Sequence, residues 1–177
     1  MFYFILLVVV SQRLIELWIS KKNEKWLLDN GAVEYGQEHY KFIVLLHTLF
    51  FVSLIAEYNL RGRFYDLNVI NYLFLVFFFF LQVMRVWVLK SLGKYWNTKI
   101  FRIFDSRLVS TGPYKFLKHP NYIIVICEIF TLPMIFGLYY TAIIFSVLNA
   151  IMLTVRIGVE NSVLEKSVSS AGIPKEL

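Results

Sequence analysis

The stretch Arg107–Tyr122, R-L-V-S-T-G-P-Y-K-F-L-K-H-P-N-Y, interrupts two long apolar blocks with residues that membrane helices avoid. Gly112-Pro113 signals a turn, because proline presets φ and glycine tolerates conformations closed to other residues. His119-Pro120 signals an extended step and then a helix start, since proline fits the first helical turn, where its missing N–H is no loss. Asn121 and Tyr122 therefore open a helix whose unpaired N–H groups point back at this loop. Such an end suits an anionic group, and Arg107, Lys115 and Lys118 add positive charge. The lysines alone are equally well explained by a cytoplasmic loop made basic by the positive-inside rule. That account leaves unexplained a histidine, an asparagine and two tyrosines placed around the Gly-Pro and His-Pro steps.

Outward from this loop the chain is apolar. Of 177 residues, 58% are hydrophobic and only 17% charged, and the apolar residues come in long runs. This composition excludes a soluble domain of the same length and implies an all-α, polytopic integral membrane protein. A net charge of +6 points to cytoplasmic loops and anionic lipid as partners, not to nucleic acid. The single cysteine, Cys127, excludes an intrachain disulfide and a thiolate metal cluster. No metal site is expected. The apolar N-terminus has no basic n-region or cleavage site and reads as a retained helix.

About five transmembrane helices are expected in a single domain. Residues 1–89 supply three N-terminal spans, and 90–177 a cofactor-binding loop, a helical hairpin and a tail. The spans run from Phe2 to Ile19, Phe42 to Tyr58, Leu67 to Leu89, from Asn121 to a break near Pro133 and Gly137, and from Leu138 to Ile157. Lys21–Tyr40 reads as a polar loop with a short interfacial helix around Trp26. Arg13 and Glu16 share a helix face and suit an ion pair. Gln82 and Arg85 should face the bundle. With the N-terminus outside, the basic loop lies in the cytoplasm.

The motif L-V-S-T-G-P-Y-K-F-L-K-H-P-N-Y resembles the cofactor motif of the isoprenylcysteine carboxyl methyltransferases and their bacterial relatives, close to L-V-x-x-G-x-Y-x-x-x-R-H-P-x-Y. Lys118 stands where arginine is usual, which keeps the charge but loses the planar fork. Further points of resemblance to the short bacterial branch are R-L-I-E-L, G-A-V-E-Y-G-Q-E-H-Y and L-L-H in the N-terminal half. The resemblance implies an integral-membrane enzyme, in a bacterial plasma membrane, that uses S-adenosylmethionine. It assigns Ser106, Arg107, Leu108, Val109, Tyr114, His119, Pro120, Asn121, Tyr122 and Glu160 to the cofactor. Arg156, at i,i+4 from Glu160, falls to the methyl acceptor. Glu128, seven residues after Asn121, should find a cation (Arg156 or Arg85) or be protonated; it could instead act as a general base.

Asn161 stands where the eukaryotic enzymes carry a second glutamate, and their acidic-aromatic tail is missing. The resemblance therefore favours an amphipathic, lipid-like acceptor, such as the hydroxyl of an alkylpyrone, over a prenylated cysteine. A non-catalytic membrane subunit or small transporter is the rival of another class. Oligomeric state is not legible in the residues.

Overall fold

The apolar runs become helices. The computed structural model describes residues 1–61, 67–103 and 109–170, with side chains through 164. Its helices are α1 (Phe2–Asp29), α2 (Gln37–Leu60), α3 (Val69–Leu92), α4 (Pro120–Met134) and α5 (Tyr139–Ser170). All but α4 are long and apolar enough to cross a bilayer. The fold is that of an all-α polytopic membrane protein. At 15 residues α4 is about 22 Å long, short of the roughly 30 Å of hydrocarbon. The chain divides into two compact units, one of 1–37, 92–109 and 156–177, the other of 38–91 and 110–155.

In the first unit, α1 continues unbroken where Lys21–Tyr40 was expected to begin a loop. The reason is amphipathicity. Ser20, Asn23 and Leu27 repeat at i, i+3 and i+7 and are all buried, while the lysines between them face outward. The helix ends in a Schellman motif: Ala32 N–H bonds Leu27 O, Gly31 N–H bonds Leu28 O, and Gly31 takes φ +77°. A short strand β1 (Val33–Tyr35) then pairs antiparallel with β2 (Ile100–Arg102), a ladder not foreseen from the sequence.

The buried stripe of α1 holds the segment before β2. Asn23 Nδ2 donates to Gly93 O and Trp96 O, at 3.1 and 2.8 Å. Ser20 Oγ meets Asn97 Oδ1 at 3.0 Å and Thr98 Oγ1 at 2.9 Å, and accepts from Thr98 N–H. Lys99 bridges Glu24 and Glu34, at 2.8 and 3.4 Å. Its hydrogen bond to Glu24 outweighs partial burial and holds the ammonium pKa above its usual value.

In the second unit, the chain from Gly112 to Met134 runs antiparallel along α3. Asn71 Nδ2 donates to Met134 O at 3.0 Å, and Phe74 meets Phe130 edge-on at 6.1 Å. Gln82 Nε2 and Arg85 Nε both donate to Glu128 Oε1, at 2.9 and 2.8 Å, while Arg85 Nη2 donates to Oε2. Gly112 packs against Trp87 and Ser91 at the far end. Arg85 and Glu128 are both almost fully buried, so Gln82 and Arg85 do face the bundle, and Arg85 is a cation for Glu128.

The α4–α5 turn lies at the end of this unit shared with the last turn of α2 and the first turn of α3. Glu57 accepts from the N–H groups of Tyr140 and Thr141, at 3.3 and 2.7 Å, and so caps α5 from another helix. Arg61 pairs with Glu57, donates to Gly137 O, and lies over Tyr139 and Tyr140 at 5.1 and 5.7 Å. Gly137 takes φ +64°, and Ile135 and Leu138 on either side are fully buried.

Two outcomes follow from this packing. Glu128→Gln should destabilise the protein by about 3–5 kcal/mol by stranding a buried guanidinium, whereas Arg85→Met/Glu128→Leu should cost much less. Unfolding in detergent compares them, and equal losses would count against the pair as the source. Gly112 has φ +59°, and a Cβ there would strike Ser91 Oγ and meet Trp87 Nε1 at 3.2 Å. Gly112→Ala should therefore lose at least the ~1–2 kcal/mol of left-handed strain. Adding Ser91→Ala should restore only the steric part, which the same unfolding assay reads.

Candidate functional site

The residues singled out from the sequence fall into two groups, one in each unit. In the second unit, Pro120 occupies the first turn of α4 and His119 is the N-cap residue, without a side-chain cap bond. The helix start expected at Asn121–Tyr122 is therefore present one residue earlier. His119 provides no side-chain cap; Tyr122 N–H donates to His119 O at 3.1 Å and Pro120 has no N–H, so in the first turn it is the Asn121 N–H that keeps its capacity for an outside acceptor. The His119 ring stacks on Tyr122, centroids 5.3 Å apart and planes 22° apart. Tyr122 is buried, which fixes the plane of the pair.

Asn121 Oδ1 is buried and has no hydrogen-bond partner among the described residues. A buried acceptor left unpaired costs about 1–3 kcal/mol, so its environment calls for a donor. A ligand with both an N–H donor and an anionic end matches this acceptor and the helix start. Tyr114 lies in the 3-10 turn Gly112–Lys115, half-buried, one residue after the buried Pro113. Two turns into α4, both Glu128 oxygens are engaged by Arg85 and one also by Gln82. A base at this position would first have to give up its buried cation.

In the first unit, Arg156 Nη2 donates to Thr98 O at 2.6 Å. Glu160 follows one turn later on the same face of α5, both half-buried. The guanidinium is thus tied to the backbone segment that Ser20 and Asn23 organise. Val109 is half-buried; Ser106, Arg107 and Leu108 lie outside the described residues. Thr98, Ser20 and Asn23 had no place in the sequence reading. The signal that could have found Ser20 and Asn23 is the 20/23/27 spacing, which is helical and continues beyond the apolar run; Thr98 carries no such signal.

Comparison with known proteins identifies the family. The model of the isoprenylcysteine carboxyl methyltransferase (ICMT) family matches residues 73–166, which include Gln82, Arg85, the motif loop, Glu128, Arg156 and Glu160. The chain is 40% identical over 169 residues to YpbQ, an uncharacterized protein of Bacillus subtilis (strain 168), covering 94% of this chain and 98% of that one. It is 27% identical over 157 residues to an uncharacterized protein of Haemophilus influenzae, covering 88% and 90%. No solved structure matches. With more than half of its length matched by the family model, this chain belongs to the isoprenylcysteine carboxyl methyltransferase family.

Proposed function

We propose that the protein is a membrane-embedded O-methyltransferase that uses S-adenosylmethionine to methylate a lipid-like small molecule, with an alkylpyrone-type hydroxyl as the favoured acceptor. The observation that carries this reading is the buried Asn121 Oδ1, without a partner among the described residues, at the start of α4, where His119 gives no side-chain cap. S-Adenosylmethionine has N–H donors for the first and a carboxylate for the second. When bound, it supplies an electrophilic methyl group on a sulfonium.

The residues of this chain then have distinct tasks. Tyr114, His119, Pro120, Asn121 and Tyr122 bind and orient the cofactor from the loop and α4. Ser106, Arg107, Leu108 and Val109 belong to the same assignment by their positions in the motif, and Glu160 by its place on α5. Arg156 stabilises negative charge on the acceptor oxygen, a task that a guanidinium in a partly desolvated setting performs well. Glu128 acts through Arg85 and Gln82, holding α4 at a fixed height on α3; engaged as it is, it is not assigned the acceptor's proton, which an acidic enolic hydroxyl gives up to water before transfer, so that Arg156 meets the enolate. The second reading, carboxyl methylation of a prenylated cysteine, needs no base because its acceptor is already a carboxylate.

Calorimetry in detergent tests the assignment. The wild-type protein should bind S-adenosylhomocysteine, and Glu160→Gln should weaken binding by about 1–3 kcal/mol, the loss of a charge-assisted hydrogen bond. Absence of binding to the folded wild type would instead support a non-catalytic subunit. Arg156→Ala should abolish methyl transfer to an alkylpyrone hydroxyl and to a prenylated cysteine alike, while cofactor affinity changes less than threefold. Retained turnover with either acceptor would remove Arg156 from the acceptor site.

A further inference from the structure

The short helix α4 leaves a gap that the loop before it fills. One end of the second unit is marked by Arg61 lying over Tyr139 and Tyr140, an arginine and two exposed aromatics of the kind that collect at the membrane–water boundary. At about 22 Å, α4 is roughly 8 Å shorter than the hydrocarbon thickness it would have to cross from there. Gly112 against Trp87 and Ser91, and Thr111 Oγ1 donating to Ser91 O, fix the height of the preceding loop on α3. Trp87 and Lys90 are exposed there, marking the second boundary on α3 itself.

At that height the loop presents Phe116, 76% exposed, and Leu117, 43% exposed, between the exposed Lys115 and Lys118. They are held out by a closed turn: the N–H groups of both Phe116 and Leu117 donate to Pro113 O, at 3.1 and 3.0 Å, and Pro113 is buried. Below them the outward stripe of α4 continues as Ile123, Ile126 and Phe130, all more than 40% exposed. An exposed phenylalanine and leucine in water would lose the transfer energy that burial in acyl chains supplies. Two lysines on either side can extend their ammonium groups to headgroup phosphates while the apolar pair stays immersed.

We infer that Lys115-Phe116-Leu117-Lys118 is an interfacial anchor, with Phe116 and Leu117 immersed in the acyl region of the leaflet and the two lysines bound to anionic phospholipid headgroups. The anchor completes the span that α4 is too short to make. It also ties the height of the His119–Tyr122 segment, which follows directly, to the charge of the leaflet. This inference stands on the membrane fold and does not need methyl transfer.

A nitroxide at Phe116→Cys in a Cys127→Ser background, in vesicles of phosphatidylcholine with or without phosphatidylglycerol, tests it. Labels at Ile123→Cys and Asp29→Cys serve as lipid and aqueous references. With phosphatidylglycerol, the Phe116 label should collide with oxygen in preference to a water-soluble nickel chelate, as the Ile123 label does. In phosphatidylcholine alone, or in Lys115→Gln/Lys118→Gln, nickel accessibility should rise at least twofold. A Phe116 label as open to nickel as the Asp29 label would overturn the anchor. Immersion indifferent to both phosphatidylglycerol and the lysines would overturn the headgroup contact. Unchanged thermal unfolding of the lysine variant in detergent shows that its fold is intact.

Discussion

A guanidinium and a carboxylate buried together in an apolar helical bundle organise the second unit. Arg85 is 2% exposed and Glu128 3%, and each offsets the cost of burying the other's charge. Two parallel hydrogen bonds, with Gln82 as a third donor, specify one relative height and rotation of α3 and α4. Apolar contacts such as Phe74–Phe130 would tolerate sliding; the forked pair does not. Everything at the start of α4 inherits that setting, including His119, Asn121 and Tyr122.

The two ends of the unit use different chemistry for the same purpose. At the α4–α5 turn, a carboxylate on α2 caps α5, and an arginine one turn later satisfies the turn's carbonyl. At the other end, a glycine with positive φ lets the loop backbone lie against Ser91 and Trp87. Both fix where the chain leaves a helix, and each gives a backbone carbonyl there a partner within the protein: Gly137 O from Arg61 and Ser91 O from Thr111 Oγ1.

In the first unit the organising surface is polar. Ser20 and Asn23 replace core apolar residues on α1 and engage five backbone or side-chain groups between Gly93 and Thr98. Thr98 in turn receives Arg156. A residue assigned to the methyl acceptor thus depends on a hydroxyl and an amide nearly the whole chain away in sequence.

Much of this was legible without coordinates. Hydrophobic run length announces helices in lipid because every backbone group there must be satisfied within the segment, so the membrane class and the four long helices follow from composition. Gly112, Pro113 and Pro120 announce the turn and the start of α4 through their own restricted or permitted φ angles, which are local properties. Of the helical extension of α1 through Lys21–Asp29, the sequence suggests only a short interfacial helix around Trp26 within a loop, because the stripe is Ser-Asn-Leu, polar where a stripe is usually sought among apolar residues. That Arg85 is a partner of Glu128 was decided only by tertiary structure. Charge and spacing along the chain permit Arg85 or Arg156, and the packing of α3 on α4 brings the Arg85 guanidinium within hydrogen-bonding distance.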